Sequence, residues 1–97
     1  MKVLAVDDER IALDGLVAAI QKAEPEAEVY GFRKPLEALA FVEEHPVEVA
    51  FLDIQMRGML GIDVAKKLKL MLPKVNIIFS AHGQEKGKNA RRGLIAT

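Results

Sequence analysis

Val49-Ala50-Phe51-Leu52 is the most constraining feature of this chain: four apolar residues, too few for a helix, rich in strand formers, and ending on the carboxylate of Asp53. A run without polar alternation suits a strand buried on both faces, the condition of a parallel sheet sandwiched between helices. Gly58 and Gly61 follow and allow a tight turn into whatever comes next. In open α/β sheets, ligands gather outside the carboxyl ends of the strands. Asp53 is therefore the first residue to suspect of chemistry.

The same grammar recurs along the chain. Val3-Leu4-Ala5-Val6 is a second compact apolar run and ends in Asp7, Asp8 and Glu9. From Ile11 the period changes, and Leu13, Leu16, Val17 and Ile20 form one stripe of an amphipathic helix that Pro25 stops. Ala27 to Phe32 reads as a less uniformly apolar strand, suited to a sheet edge. Pro35 suits the first turn of a second helix carrying Leu36, Leu39, Ala40 and Val42 inward until Pro46. Val64, Ala65, Leu68, Met71 and Leu72 mark a third helix closed by Pro73, and Val75 to Phe79 is a further buried strand that delivers Ser80.

This alternation of strands and helices with short connections is a βαβαβαβ chain, which predicts a parallel sheet covered on both faces. Ninety-seven residues are enough for one domain with a modest core. The absence of cysteine excludes disulfides and thiolate metal sites. No run approaches the ~18 apolar residues of a membrane span, and Met1-Lys2-Val3 opens directly into strand, so a cytoplasmic domain without membrane contact is expected.

Asp7, Asp8, Asp53 and Ser80 thus fall on one rim. Clustered carboxylates repel unless a cation joins them, and hard oxygen donors of this kind suit Mg²⁺. A carboxylate is also a competent nucleophile toward phosphorus, forming an acyl phosphate when metal and hydrogen-bond donors neutralise the charge in transit. The plainer alternatives are a solvated strand-end acid at Asp53, helix capping by Asp7 and Asp8, and capping by Ser80. His45 and His82 have no second His or Cys at metal spacing and read as surface residues. Gly83 to Asn89 mimics a nucleotide-phosphate loop but has three residues between its glycines and Asn after Lys88, so the motif fails.

Taken together, Val6-Asp7-Asp8-Glu9, Phe51-Leu52-Asp53-Ile54-Gln55-Met56, the Gly58 to Gly61 loop and Ile77-Ile78-Phe79-Ser80-Ala81-His82 resemble the receiver domain of two-component response regulators. With Phe32, Pro35 and Glu37-Ala38-Leu39, the wording is most similar to regulators with a LytTR-type DNA-binding output domain. The resemblance covers residues 1 to about 82 and implies a flavodoxin-like (CheY-like) doubly wound sheet of strand order 2-1-3-4. It further implies Asp53 as phosphoacceptor for a sensor histidine kinase, and Mg²⁺ held by Asp7, Asp8, Asp53 and the main-chain carbonyl of Gln55. Ser80 would be the hydroxyl that approaches the phosphoryl group. Such a domain is a signalling switch and not an enzyme beyond its own phosphorylation and dephosphorylation. DNA would be reached only through an output domain absent from this chain.

Three departures qualify the resemblance. Arg57 stands where the family usually has Pro, and Leu60 where it usually has a polar residue, changes expected to alter loop stiffness alone. The third is residues 83–97, where the family's terminal strand, aromatic switch residue and lysine are not identifiable, as after a truncation or frame change. Residues 64–97 carry 8 Lys or Arg against 1 Asp or Glu, and their last part, residues 83–97, reads as a basic tail, either a short helix or loose. Without a fifth strand, the Val75 to Ser80 strand would be unpaired on one side, which predicts dimerisation or strand exchange through that strand and the tail. A degenerate receiver, serving as a non-phosphorylated interaction module, is the rival reading. An aspartate-dependent phosphohydrolase is disfavoured because Asp7 and Asp8 are adjacent and diverge from an extended backbone.

Overall fold

The computed structural model describes residues 1–81 and 93–96. Strands β1 (Lys2–Val6), β2 (Glu28–Phe32), β3 (Val49–Asp53) and β4 (Asn76–Ala81) alternate with helices α1 (Arg10–Ala23), α2 (Pro35–Glu44) and α3 (Gly61–Met71), and a short strand β5 (Gly93–Ala96) follows. The sheet order is β2-β1-β3-β4-β5. The pairs β1–β2, β1–β3 and β3–β4 are parallel, so the expected 2-1-3-4 core is present and β2 lies at an edge.

The two-residue alternation of strand side chains explains why this sheet is covered on both sides. Leu4, Val6, Ala50, Leu52, Ile77 and Phe79 share one buried cluster with Ala38, Leu39 and Val42 of α2 and Val64, Ala65 and Leu68 of α3. The alternate residues Val3 and Ala5 pack on the other face with Leu13, Leu16 and Ile20 of α1. Four residues of β1 are buried, as its unbroken apolar sequence requires. The helices start as their sequences suggest. Pro35 occupies the first turn of α2, where no N–H is missed, and α1 begins without a side-chain cap.

The fifth place in the sheet corrects the expectation for the tail. Gly93–Ala96 is a strand, neither helix nor loose, and it runs antiparallel to β4 with Leu94 opposite Ser80 and Ile95 opposite Phe79. The outer edge of β4 is therefore paired, and the expected self-association through an exposed fourth strand loses its unpaired edge. The physical reason is that a bare row of N–H and C=O groups needs partners. The apolar Leu94-Ile95-Ala96 run supplies them from the same chain, returning in the direction open to a connection that makes no crossover. His82 and the Gly83 to Asn89 stretch lie outside the described residues.

At the opposite edge, the Tyr30 hydroxyl donates to Glu28 Oε1 at 2.6 Å. This bond, helped by Lys2 and the amino terminus, holds the exposed Glu28 carboxyl below its ordinary 4.5, and it raises the Tyr30 hydroxyl above its ordinary 10.0. The pair contributes between those two ordinary values, fading as pH falls through the depressed Glu28 value or rises through the raised Tyr30 value. Tyr30→Phe is expected to move the Glu28 midpoint up toward 4.5 in a carboxyl-carbon NMR titration, with no other carboxylate moving comparably.

Candidate functional site

Three elements of the fold deliver carboxylates to one place. β1 ends at Val6 and hands the chain to Asp7 and Asp8, while β3, its parallel neighbour, ends on Asp53 itself. Asp7 is fully buried, Asp53 is 7% exposed, and one oxygen from each of Asp7, Asp8 and Asp53 lies within 4.8 Å of the others. Ser80, also fully buried, is the register partner of Asp53 on β4, which sets the two side chains on the same face of the sheet. Gln55 is exposed, two residues past Asp53 in the loop that opens after β3. The structure thus brings Asp7, Asp8 and Asp53 together and sets Ser80 in register with Asp53.

Helix capping does not account for the acids. The Asp7 Oδ1 accepts the Glu9 N–H at 3.0 Å, and its own N–H donates to the Phe32 carbonyl at 3.1 Å, which ties the β1 terminus to that of β2. Asp8 meets the loop after β3. Its Oδ2 accepts the Arg57 backbone N–H at 2.9 Å and lies 3.4 Å from Arg57 Nε. Arg57 does more than alter loop stiffness, because it contacts a member of the cluster through both its main chain and its side chain. No local sequence signal reveals this, because Asp8 is 49 residues away.

The loop glycines have distinct duties. Gly58 turns the chain at φ +89°, a conformation costly for other residues. Gly61 starts α3 against the end of β3, and its N–H donates to the Ile54 carbonyl at 2.9 Å. A Cβ there would overlap the Asp53 carbonyl oxygen. Beside Asp8 a groove of about 950 Å³ opens, lined by Phe32, Arg33, Lys34, Arg57 and Met59 among others.

Three buried or half-buried carboxylates with a neighbouring hydroxyl form an oxygen-only donor set of the kind that suits Mg²⁺, and soft metals are disfavoured by the lack of nitrogen and sulfur. Among the described residues no helix is long and apolar enough to cross a membrane.

Comparison with known proteins agrees with this geometry. Residues 3–96 match the family described as the response regulator receiver domain. The chain is 36% identical over 69 residues to the cyclic di-GMP phosphodiesterase response regulator RpfG of Xanthomonas campestris, covering 71% of this chain and 18% of that protein. It is 31% identical over 80 residues to the sensory transduction protein LytT of Bacillus subtilis, covering 82% of this chain and 33% of that one. The chain therefore spans a third or less of these relatives. Among solved structures, it superposes on a two-component transcriptional regulator AraC from Clostridium phytofermentans with a TM-score of 0.76 at 28% identity, over 89% of this chain and 70% of that one. The receiver domain of the hybrid histidine kinase CckA gives 0.70 at 27% identity, over 90% and 80%. With its 2-1-3-4 parallel core, its acidic rim and these relatives, the chain belongs to the receiver domains of two-component response regulators.

Proposed function

We propose that this domain accepts a phosphoryl group on Asp53 from the phosphohistidine of a sensor histidine kinase, in a reaction that requires Mg²⁺. The observation that carries the proposal is the convergence of Asp7, Asp8 and Asp53 oxygens within 4.8 Å at the carboxyl edge of a parallel sheet. Asp7 and Asp8 would hold the cation with Asp53 and the Gln55 carbonyl, and the cation would neutralise charge on the phosphoryl oxygens. An Asp53 oxygen attacks phosphorus, the bond to the donor imidazole breaks, and the imidazole leaves with the electron pair. Asp53 is 7% exposed, at the edge of the sheet where its strand ends. Ser80 lies beside it, a hydroxyl donor for a phosphoryl oxygen.

Arg33, Lys34 and Arg57 outnumber Asp8 and Glu37 in the neighbouring groove, a charge balance that favours the approach of an anionic donor. In this reading residues 1–82 are the receiver core, Gly93–Ala96 of the divergent basic stretch 83–97 adds an edge strand to its sheet, and the compartment is the cytoplasm, where such kinases present their phosphohistidine. The rival is a receiver that binds partners without being phosphorylated. Incubation with a phosphohistidine-bearing kinase domain decides between them. Label is expected to move to this chain within minutes with Mg²⁺ present and to stay on the kinase when EDTA is added. Label that stays on every kinase tested, and no reaction with a small acyl-phosphate donor, would favour the rival.

A further inference from the structure

We propose that Arg57 is an internal counter-cation of the acidic cluster, paired with Asp8 before a divalent ion arrives and displaced from it when the ion binds. The inference rests on Asp8 being a cation ligand, as proposed above, and assigns to Arg57 the setting of that affinity. Asp8 has 17% of its side chain exposed and stands in a group of three mutually repelling carboxylates. Positive charge close to such a group lowers its energy. Arg57 provides that charge at 3.4 Å from Asp8 Oδ2, while the same oxygen also takes the Arg57 N–H at 2.9 Å.

The two contacts act differently. The backbone bond belongs to the loop, is kept by any residue other than proline, and orients the carboxylate. The guanidinium contact belongs to a side chain that is 87% exposed, so it exchanges readily. Asp8 Oδ2, which accepts from the guanidinium, would offer the same lone pairs to a divalent ion, whose charge would also repel the guanidinium. The displaced side chain has somewhere to go, because the groove beside Asp8 is lined by Arg57, Phe32 and Met59 and its left-handed neighbour Gly58 lets the turn adjust. Arg57 is thus a positioning residue whose main chain aims Asp8 and whose side chain competes with the metal.

The consequence is a pair of effects of opposite sign. Arg57→Ala keeps the N–H and deletes the guanidinium, so the metal-free protein should melt at the same or a slightly lower temperature, while Mg²⁺ binds more tightly. Exposed pairs contribute little, so the gain in affinity is roughly two- to fivefold at low ionic strength. It should shrink toward none in 1 M salt, where screening reaches ~3 Å. Arg57→Lys, which retains charge without the planar nitrogen contact, should fall between the two.

The test is calorimetric titration of the full chain and its Arg57→Ala and Arg57→Lys variants with Mg²⁺ at low and high salt, together with the Arg57 Nε–H NMR signal of the wild type. The proposal expects tighter, salt-sensitive binding in Arg57→Ala and a shift of the arginine signal to a solvent-like position on saturation. Equal or weaker binding by Arg57→Ala, or an arginine signal that Mg²⁺ leaves unmoved, overturns it even if the wild type binds the ion. A wild type that binds no Mg²⁺ overturns the functional reading and this inference together.

Discussion

Asp53→Asn should carry no phosphoryl group under any condition that labels the wild type, and its metal-free form should be the more stable of the two. The amide is nearly isosteric with the carboxylate, so the fold and the β3–β4 pairing opposite Ser80 are retained. It is a poor nucleophile. Removing one negative charge from a cluster whose oxygens lie within 4.8 Å of one another relieves repulsion that is gross several kcal/mol at an effective dielectric near 20. After the loss of the carboxylate's own hydrogen bonding, a net gain of about 1 kcal/mol in urea denaturation is expected. Residual label on the variant, or a clear loss of stability, would show that Asp53 is a structural acid.

The second large effect concerns Gly61. Gly61→Ala would drive a methyl group into the Asp53 carbonyl oxygen, with the Asp53 carbonyl carbon and Ile54 Cα each 3.1 Å away. All three are backbone atoms, so no rotamer change relieves the overlap. Either α3 backs off from the sheet, opening the contacts of the buried Val64, Ala65 and Leu68, or the end of β3 shifts and takes Asp53 with it. A loss of about 3 kcal/mol is expected, at the high end for overpacking, with weaker Mg²⁺ binding. Gly58→Ala is the control. Nothing lies within 4 Å of a Cβ there, so only the cost of φ +89° remains, about 1 kcal/mol. Equal losses for the two variants in urea titrations would contradict the close approach of α3 to β3.

These contrasts show what a one-dimensional pattern can and cannot reveal. The buried runs ending at Val6 and Leu52 announced parallel strands because two covered faces demand unbroken apolar sequence. Strand ends in such a sheet share one edge, so Asp7, Asp8, Asp53 and Ser80 could be grouped without coordinates. The family wording, stronger than any single motif, added the order of the strands. The Gly93–Ala96 strand was hidden for the opposite reason. Four residues that open on a glycine after Arg91-Arg92 have weak local preference, and their conformation is decided by the open edge of β4, a tertiary effect. Arg57 was hidden as well, since its meaning lies in an Asp8 contact made across the sheet rim, and a proline expected at its position drew attention to stiffness instead of to the N–H it provides. The role of Gly61 was half legible, as a turn glycine in sequence and as a backbone contact with Asp53 only in three dimensions.

The account depends on an acidic rim that captures phosphorus with the help of a divalent ion. The most direct measurement is site mapping: the wild-type chain is incubated with a small acyl-phosphate donor, with and without Mg²⁺, then reduced with borohydride and sequenced by tandem mass spectrometry. The account predicts conversion of Asp53 to homoserine in the presence of Mg²⁺ and none after chelation. Reduction at another carboxylate, or Asp53 modified equally well without the ion, would contradict it.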